Sequence, residues 1–289
     1  MNPTFKAALW MTGAIASFSS MAVAGRELGA VHDTFEIMMY RSIVGVLLVS
    51  LLLTARGKWS QVSTRSFGLH IVRNTLHFTG QNLWFFAVTA IPLAQVFALE
   101  FTQPLWVLLL SPLLLGERMT PMRAIAAVIG FAGILIVARP GSTEIGPGVM
   151  AAAGCAVFFA LTTIATKRLT RVAEVGGIMF WLTFMQAILG LAASAFDGAV
   201  ALPTLQSLPW LVLVGLAGLL AHFCVTSALA IAPATVVVPI DFARLPTIAV
   251  IGMIMYNETV DVWILVGAVV IFAGNYLNIL SETRKFRVA

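Results

Sequence analysis

The chain has 289 residues, 60% of them hydrophobic and only 10% charged. Its mean hydropathy of +0.98 lies far outside the range of soluble domains, in which charged residues make up about 25%. The net charge of +5 would suggest nucleic acid in a soluble chain, but in one this apolar the placement of the bases matters more than their sum, and no nucleic-acid partner is expected.

Hydrophobic runs long enough to cross a core of about 30 Å as helix occur at about 5–24, 34–54, 68–89, 93–115, 122–138, 147–167, 176–196, 207–229, 235–256 and 261–280. The expected fold class is an all-α polytopic membrane protein with ten transmembrane helices in a lipid bilayer. Continuous apolar runs, without period-two alternation, exclude a transmembrane barrel. Span one, Lys6 followed by Ala7–Ala24, shares features with a cleavable signal peptide, but it is long for one and takes part in the repeat described below. It carries Ser17, Ser19 and Ser20. Arg41, about seven residues into span two, is expected to snorkel to the outer surface, the alternative being an anion-binding role. Span three places Asn74, His77, Gln81 and Trp84 on one helical face, a stripe that would be costly against lipid. Span four holds Glu100, Phe101 and Gln103, then Pro104 and Pro112. Cys155 and Cys224 fall inside spans six and eight and imply neither a disulfide nor a metal site. Span seven offers Trp181 and Gln186, and span eight His222 and Thr226. Either His77 or His222 would also fit as an ordinary hydrogen-bonded residue between helices. Span nine sets Asp241 and Arg244 between Pro239 and Pro246. Ionisable groups at such depth normally face a cavity or a partner, and prolines weaken the helix one turn upstream.

Displacing the chain by 141 residues aligns its halves without a gap: Gly13 meets Gly154, Pro92 meets Pro233, Glu117 meets Glu258, and Phe131-Ala132-Gly133 meets Phe272-Ala273-Gly274. Five spans per half is an odd number, so the second half runs inverted relative to the first, as in transporters whose site lies near the midplane. The expected division is 1–140 and 141–289. The same displacement sets Asp241 on Glu100 and Arg244 on Gln103, and both acids fall about 10 Å deep, from opposite sides. With both termini inside, thirteen bases, Arg73 among them, lie on the cytoplasmic side, against Arg26 and Arg139 outside.

Leu115-Gly116-Glu117-Arg118-Met119-Thr120, followed by Ile129-Gly130-Phe131-Ala132-Gly133-Ile134, resembles the EamA repeat signature of the drug/metabolite transporter superfamily. Asn257-Glu258-Thr259 through Gly274 resembles a second copy, lacking the glycine before the glutamate. The resemblance implies a bacterial inner-membrane carrier with a cavity formed by spans one to four and six to nine, and motif glutamates that are architectural. Size and duplication resemble the YddG-type exporters of neutral and aromatic amino acids. The alternative is a heterocyclic metabolite such as riboflavin, S-adenosylmethionine or a purine.

The substrate-binding residues expected are His77, Gln81, Trp84, Glu100, Phe101, Gln103, His222, Asp241 and Arg244. Two midplane acids superficially suit an intramembrane aspartic protease, but Leu99-Glu100-Phe101 and Ile240-Asp241-Phe242 lack its sequence contexts, and no nucleotide-binding loop occurs. No enzyme activity and no cofactor are expected. The partners are a small-molecule substrate and lipid, in a monomer or weak homodimer. The pairs Gly130 and Gly133, Gly215 and Gly218, and Gly267 and Gly274 would allow close helix packing, including between protomers. Reporter fusions at Ser142 and Asp197 are predicted to read out on the periplasmic face, and a cytoplasmic signal at either would contradict both the topology and the inverted repeat.

Overall fold

The computed structural model describes residues 3–115, 121–139, 145–169, 171–196, 200–231, 240–241, 243–259 and 261–288. The helices are α1 (Pro3–Leu28), α2 (Thr34–Ala55), α3 (Phe67–Ala90), α4 (Leu93–Glu100), α5 (Gln103–Leu115), α6 (Pro121–Ala138), α7 (Pro147–Leu169), α8 (Val175–Ser194), α9 (Leu208–Ile231), α10 (Arg244–Tyr256) and α11 (Val262–Val288), with no strand among the described residues. Among the described residues, six stretches are long and apolar enough to cross a membrane: Phe5–Leu28, Thr34–Ala55, Leu93–Leu110, Pro147–Thr166, Val175–Ser194 and Leu208–Val225. Shorter apolar helices cover Ala124–Ala138, Arg244–Tyr256 and Val262–Leu277. The polar stripe of α3 lowers the hydropathy of a helix whose length alone would suffice.

Local chemistry sets the boundaries. Pro121 and Pro147 open α6 and α7 at the position where a missing N–H costs nothing. Asp33 starts α2 through a capping box: its Oδ1 accepts from Glu36 N–H at 2.8 Å, and Glu36 Oε2 accepts from Asp33 N–H at 3.2 Å. Ile91 precedes Pro92 and is extended, which ends α3. Asn257 ends α10 with φ 52°, a left-handed conformation that glycine and asparagine adopt most readily. Asn257 stands where the first copy of the motif has Gly116, so the departure from the motif preserves backbone freedom.

The expected fourth span is interrupted. Pro104 lacks an N–H, and the helix closes at Phe101-Thr102 and restarts at Gln103. Asn275 of α11 donates to the Phe101 carbonyl at 3.0 Å, satisfying a group that the break exposes in an apolar interior. In the ninth expected span, residues 240–241 and α10 are helical. Its earlier part, including Val236 to Pro239, lies outside the described residues, as do Phe242, Gly116 to Thr120, Ser142 and Asp197.

Helix α1 packs on α9, α3 on α7, α2 on α8 and α6 on α11. The displacement of 141 residues exchanges the first two pairs and maps each of the other two onto itself. Helix starts recur at the same displacement: Thr34 and Val175, Phe67 and Leu208, Gln103 and Arg244, Pro121 and Val262. The largest core cluster centres on α4, whose Leu93, Val96, Phe97 and Ala98 are wholly buried.

One end of the bundle is tied shut. The Arg26 guanidinium donates to Glu258 and to the Val88 and Ile91 carbonyls and lies over the Tyr256 ring, while the Tyr256 hydroxyl donates to Glu27 at 2.9 Å. Glu258 also accepts from Leu93 N–H at 2.9 Å, so it caps α4. This motif glutamate holds α1, α3, α4 and α10 together, an architectural place. Beside it, Arg139 pairs with Asp261.

Gly133, Gly267 and Gly274 face each other's helices within the chain. A Cβ on Gly274 would come within 2.8 Å of the Ala126 carbonyl and 3.0 Å of Gly130 N, both backbone atoms that cannot step aside. These glycines therefore fit α6 to α11 and need no second protomer to explain them. Gly274→Val is predicted to lower the unfolding temperature in detergent by the equivalent of about 1–3 kcal/mol of overpacking. Gly68→Ala, at a site with no neighbour within 4 Å, is expected to leave it unchanged.

Candidate functional site

Arg244, the first residue of α10, is buried. Its guanidinium lies 3.0 Å from Asp241 Oδ2 and 3.3 Å from Glu100 Oε1. Trp84 Nε1–H donates to the other Glu100 oxygen at 2.7 Å. Three rings surround the cation, with its central carbon 4.6 Å from the centroid of Phe18, 5.1 Å from Phe97 and 4.9 Å from Phe101. The Asp241–Arg244 pair, three residues apart, is present, and Arg244 extends it into a bridge that joins the acid preceding α10 to the acid ending α4.

The helix break makes this possible. Glu100 is the last residue of α4, so its carboxylate emerges where the backbone turns aside. Asp241 Oδ1 has no hydrogen-bond partner among the described residues and is free to accept from a ligand.

The network forms one wall of a cavity of about 500 Å³, within the range of about 300–1,000 Å³ usual for small-molecule sites. Of the nine expected site residues, His77, Gln81, Trp84, Glu100, Gln103, His222, Asp241 and Arg244 line it. Phe101 packs against Arg244 instead of lining the cavity. His77 and His222 face each other at 6.3 Å between ring centroids, and each touches a phenylalanine of the lining, Phe159 or Phe18. Gln103 donates to Thr163 at 2.8 Å, joining α5 to α7 across the cavity. Of the other stripe and serine residues, Asn74 turns to α8, donating to the Trp181 carbonyl at 3.0 Å, and Ser19 and Ser20 line a separate groove with Thr247 and Ile251.

Several lining residues escaped the sequence reading. Arg73, counted among cytoplasmic bases, is buried and lines the cavity, donating to Thr166 at 3.2 Å and Asn74 at 2.8 Å. It lies one turn before His77, so Arg73, His77, Gln81 and Trp84 form the cavity face of α3. Thr162, Thr163 and Thr166 of α7 also line it, as do the apolar Phe18, Met21, Phe159 and Val225. The threonine cluster was a legible signal in an otherwise apolar span. The apolar lining carried none. Arg41 also departs from expectation: it is buried and turned to Gly218 and Gln186 in a narrow pocket that shares His222 with the main cavity.

The sequence profile of the EamA-like transporter family matches the chain twice, over residues 5–139 and 146–280. A riboflavin transporter of Brucella anthropi is 28% identical, over 96% of this chain and all of the relative. An S-adenosylmethionine uptake transporter of Rickettsia bellii is 26% identical, over 95% of this chain and 94% of the relative. A riboflavin transporter of Rhizobium johnstonii is 30% identical, over 75% of this chain and 72% of the relative. A solved crystal structure shares the fold with a TM-score of 0.65 at 20% identity, covering 96% of this chain and 98% of the other.

Arg244→Gln is predicted to destabilise the protein by about 3–5 kcal/mol in thermal unfolding, because it leaves the buried Glu100 and the half-buried Asp241 without their shared cation. Asp241→Asn should cost less, and Glu100→Gln combined with Arg244→Gln should recover part of the loss. Equal and additive effects would mean that the three groups are not coupled.

Proposed function

We propose that this chain, which belongs to the EamA-like transporter family, carries a flat heterocyclic metabolite with a polar tail through the cavity beside Arg244. In this reading it is a multi-pass inner-membrane protein of ten spans in two inverted five-helix repeats, 1–140 and 141–289, with both termini in the cytoplasm. The basic residues support the orientation, and the exchange of helix pairs at one displacement supports the repeats.

The observation that carries the reading is the composition of the cavity. Its wall pairs an unfilled acceptor, Asp241 Oδ1, with aromatic surface from Phe18, Trp84 and Phe159, and hydroxyl and amide groups from Thr162, Thr163 and Gln81 stand opposite apolar side chains. Such a site can hold a fused ring by stacking and a hydroxylated or charged tail by hydrogen bonds. The names of the relatives favour riboflavin-like or adenosyl-type cargo over the neutral amino acid that size and duplication suggested.

Alternating access requires the cavity to open to each side in turn. The Arg26–Glu258 knot is the closed end in this reading, and the mouth near Arg73 and Thr166 is the open one.

Counterflow into proteoliposomes with labelled riboflavin, S-adenosylmethionine and phenylalanine tests the proposal. Riboflavin or S-adenosylmethionine is expected to exchange, and Glu100→Gln or Asp241→Asn to reduce the rate about tenfold or more, the scale of a lost hydrogen bond to a charged group. Exchange of phenylalanine alone would return the substrate to the amino acids, and unchanged rates in both variants would move the path away from this cavity.

A further inference from the structure

Charge is unevenly spread around the cavity. Glu100, Asp241 and Arg244 gather at one wall and pair with one another. On the other side, Arg73 and Arg41 are 7% and 8% exposed, and neither has a carboxylate partner among the described residues. Arg73 donates only to a neutral hydroxyl and a neutral amide. The polar contact of Arg41 is a weak one, to the Met38 sulfur at 3.6 Å. A guanidinium carries five N–H donors, so most of these remain without a strong acceptor.

Arg41 is not on its way to the surface. Gly218 makes room for it: a Cβ there would lie 3.0 Å from two nitrogens of the guanidinium. Between the two arginines stands His222, which lines both the narrow pocket of Arg41 and the central cavity. His77, one turn along α3 from Arg73, is 5% exposed, and neither of its ring nitrogens has a hydrogen-bond partner among the described residues. A bundle that buries two like charges and an unbonded imidazole without compensation is arranged for something that arrives from outside the chain.

We propose that Arg73 and His77, with Arg41 adding its charge from beyond His222, form an anion subsite that receives a carboxylate or phosphate group of the transported molecule. The inference rests on the reading of this cavity as the transport path and narrows its substrate: the ring body lies on the aromatic wall, and an anionic tail points toward Arg73. Guanidinium N–H groups give a carboxylate or phosphate charge-assisted bonds that a neutral hydroxyl cannot match.

The test uses two ligand pairs that differ in one anionic group, measured by isothermal titration calorimetry on the purified full-length chain. Flavin mononucleotide against riboflavin reports a phosphate, and indole-3-acetate against indole-3-acetamide reports a carboxylate. In at least one pair the anion is expected to bind about tenfold tighter or more, the scale of a hydrogen bond to a charged group. Arg73→Gln should reduce that preference to within about twofold, and Arg73→Lys should keep part of it. Without ligand, Arg73→Gln and Arg41→Gln are expected to hold or raise the unfolding temperature, because an uncompensated buried charge is removed. Equal affinities within both pairs would overturn the subsite. A lower ligand-free unfolding temperature with the anion preference intact would also overturn it, by making the arginines structural. Anion preference without counterflow of riboflavin or S-adenosylmethionine would reject that cargo assignment and leave the subsite standing.

Discussion

A guanidinium buried in an apolar interior is costly unless negative charge meets it, and the architecture around Arg244 follows from that constraint. One carboxylate would neutralise it, but two receive it, and they belong to different parts of the chain: Asp241 beside α10 and Glu100 at the end of α4. For Glu100 to reach, α4 must stop short of a full crossing, which Pro104 brings about. Once the helix is broken, the exposed Phe101 carbonyl needs a donor, and Asn275 of α11 supplies it. Trp84 occupies the remaining Glu100 oxygen, which fixes α3 against α4. Each demand met creates the next, and the chain of contacts runs from α10 through α4 to α3 and α11.

The same logic separates rigid from accessible parts. At the knotted end, Arg26, Glu258, Tyr256 and Glu27 leave little polar capacity unused, and Glu258 both pairs with Arg26 and caps α4. Away from that end the polar groups are incompletely satisfied, with Asp241 Oδ1 and both nitrogens of His77 unbonded among the described residues. Satisfied polar groups hold helices together, whereas unsatisfied ones lining a cavity have capacity left to bond a ligand.

Much of this was legible in the sequence because polar residues stand out against an apolar background. The pairing of Glu100 with Asp241 and the stripe on α3 came from that contrast, and eight of the nine expected residues line one cavity. Two arginines were misplaced for a physical reason. The distribution of bases orients a chain by position, but Arg73 and Arg41 lie within a turn or two of a helix end, where direction depends on the neighbours. Gly218 decides the matter for Arg41, and a glycine signals nothing until its neighbour is known. The aromatic and aliphatic lining was illegible because Phe18 or Val225 looks the same in sequence whether it faces lipid, core or substrate. The break in α4 falls at Phe101-Thr102, within a turn before Pro104, as the lost N–H requires.

The central claim is that the space bounded by Arg244, Arg73 and Thr163 is where cargo binds. Replacing the native Cys155 and Cys224, both buried and free, by alanine, and then placing single cysteines at Thr163 and at Ser20, gives one reporter in the cavity and one in the separate groove. Labelling by a membrane-impermeant maleimide in the presence and absence of riboflavin and of S-adenosylmethionine is the most direct measurement. The account predicts that one of these compounds slows labelling at position 163 and leaves position 20 unaffected. Equal labelling at 163 with and without both compounds, or protection confined to position 20, would contradict it.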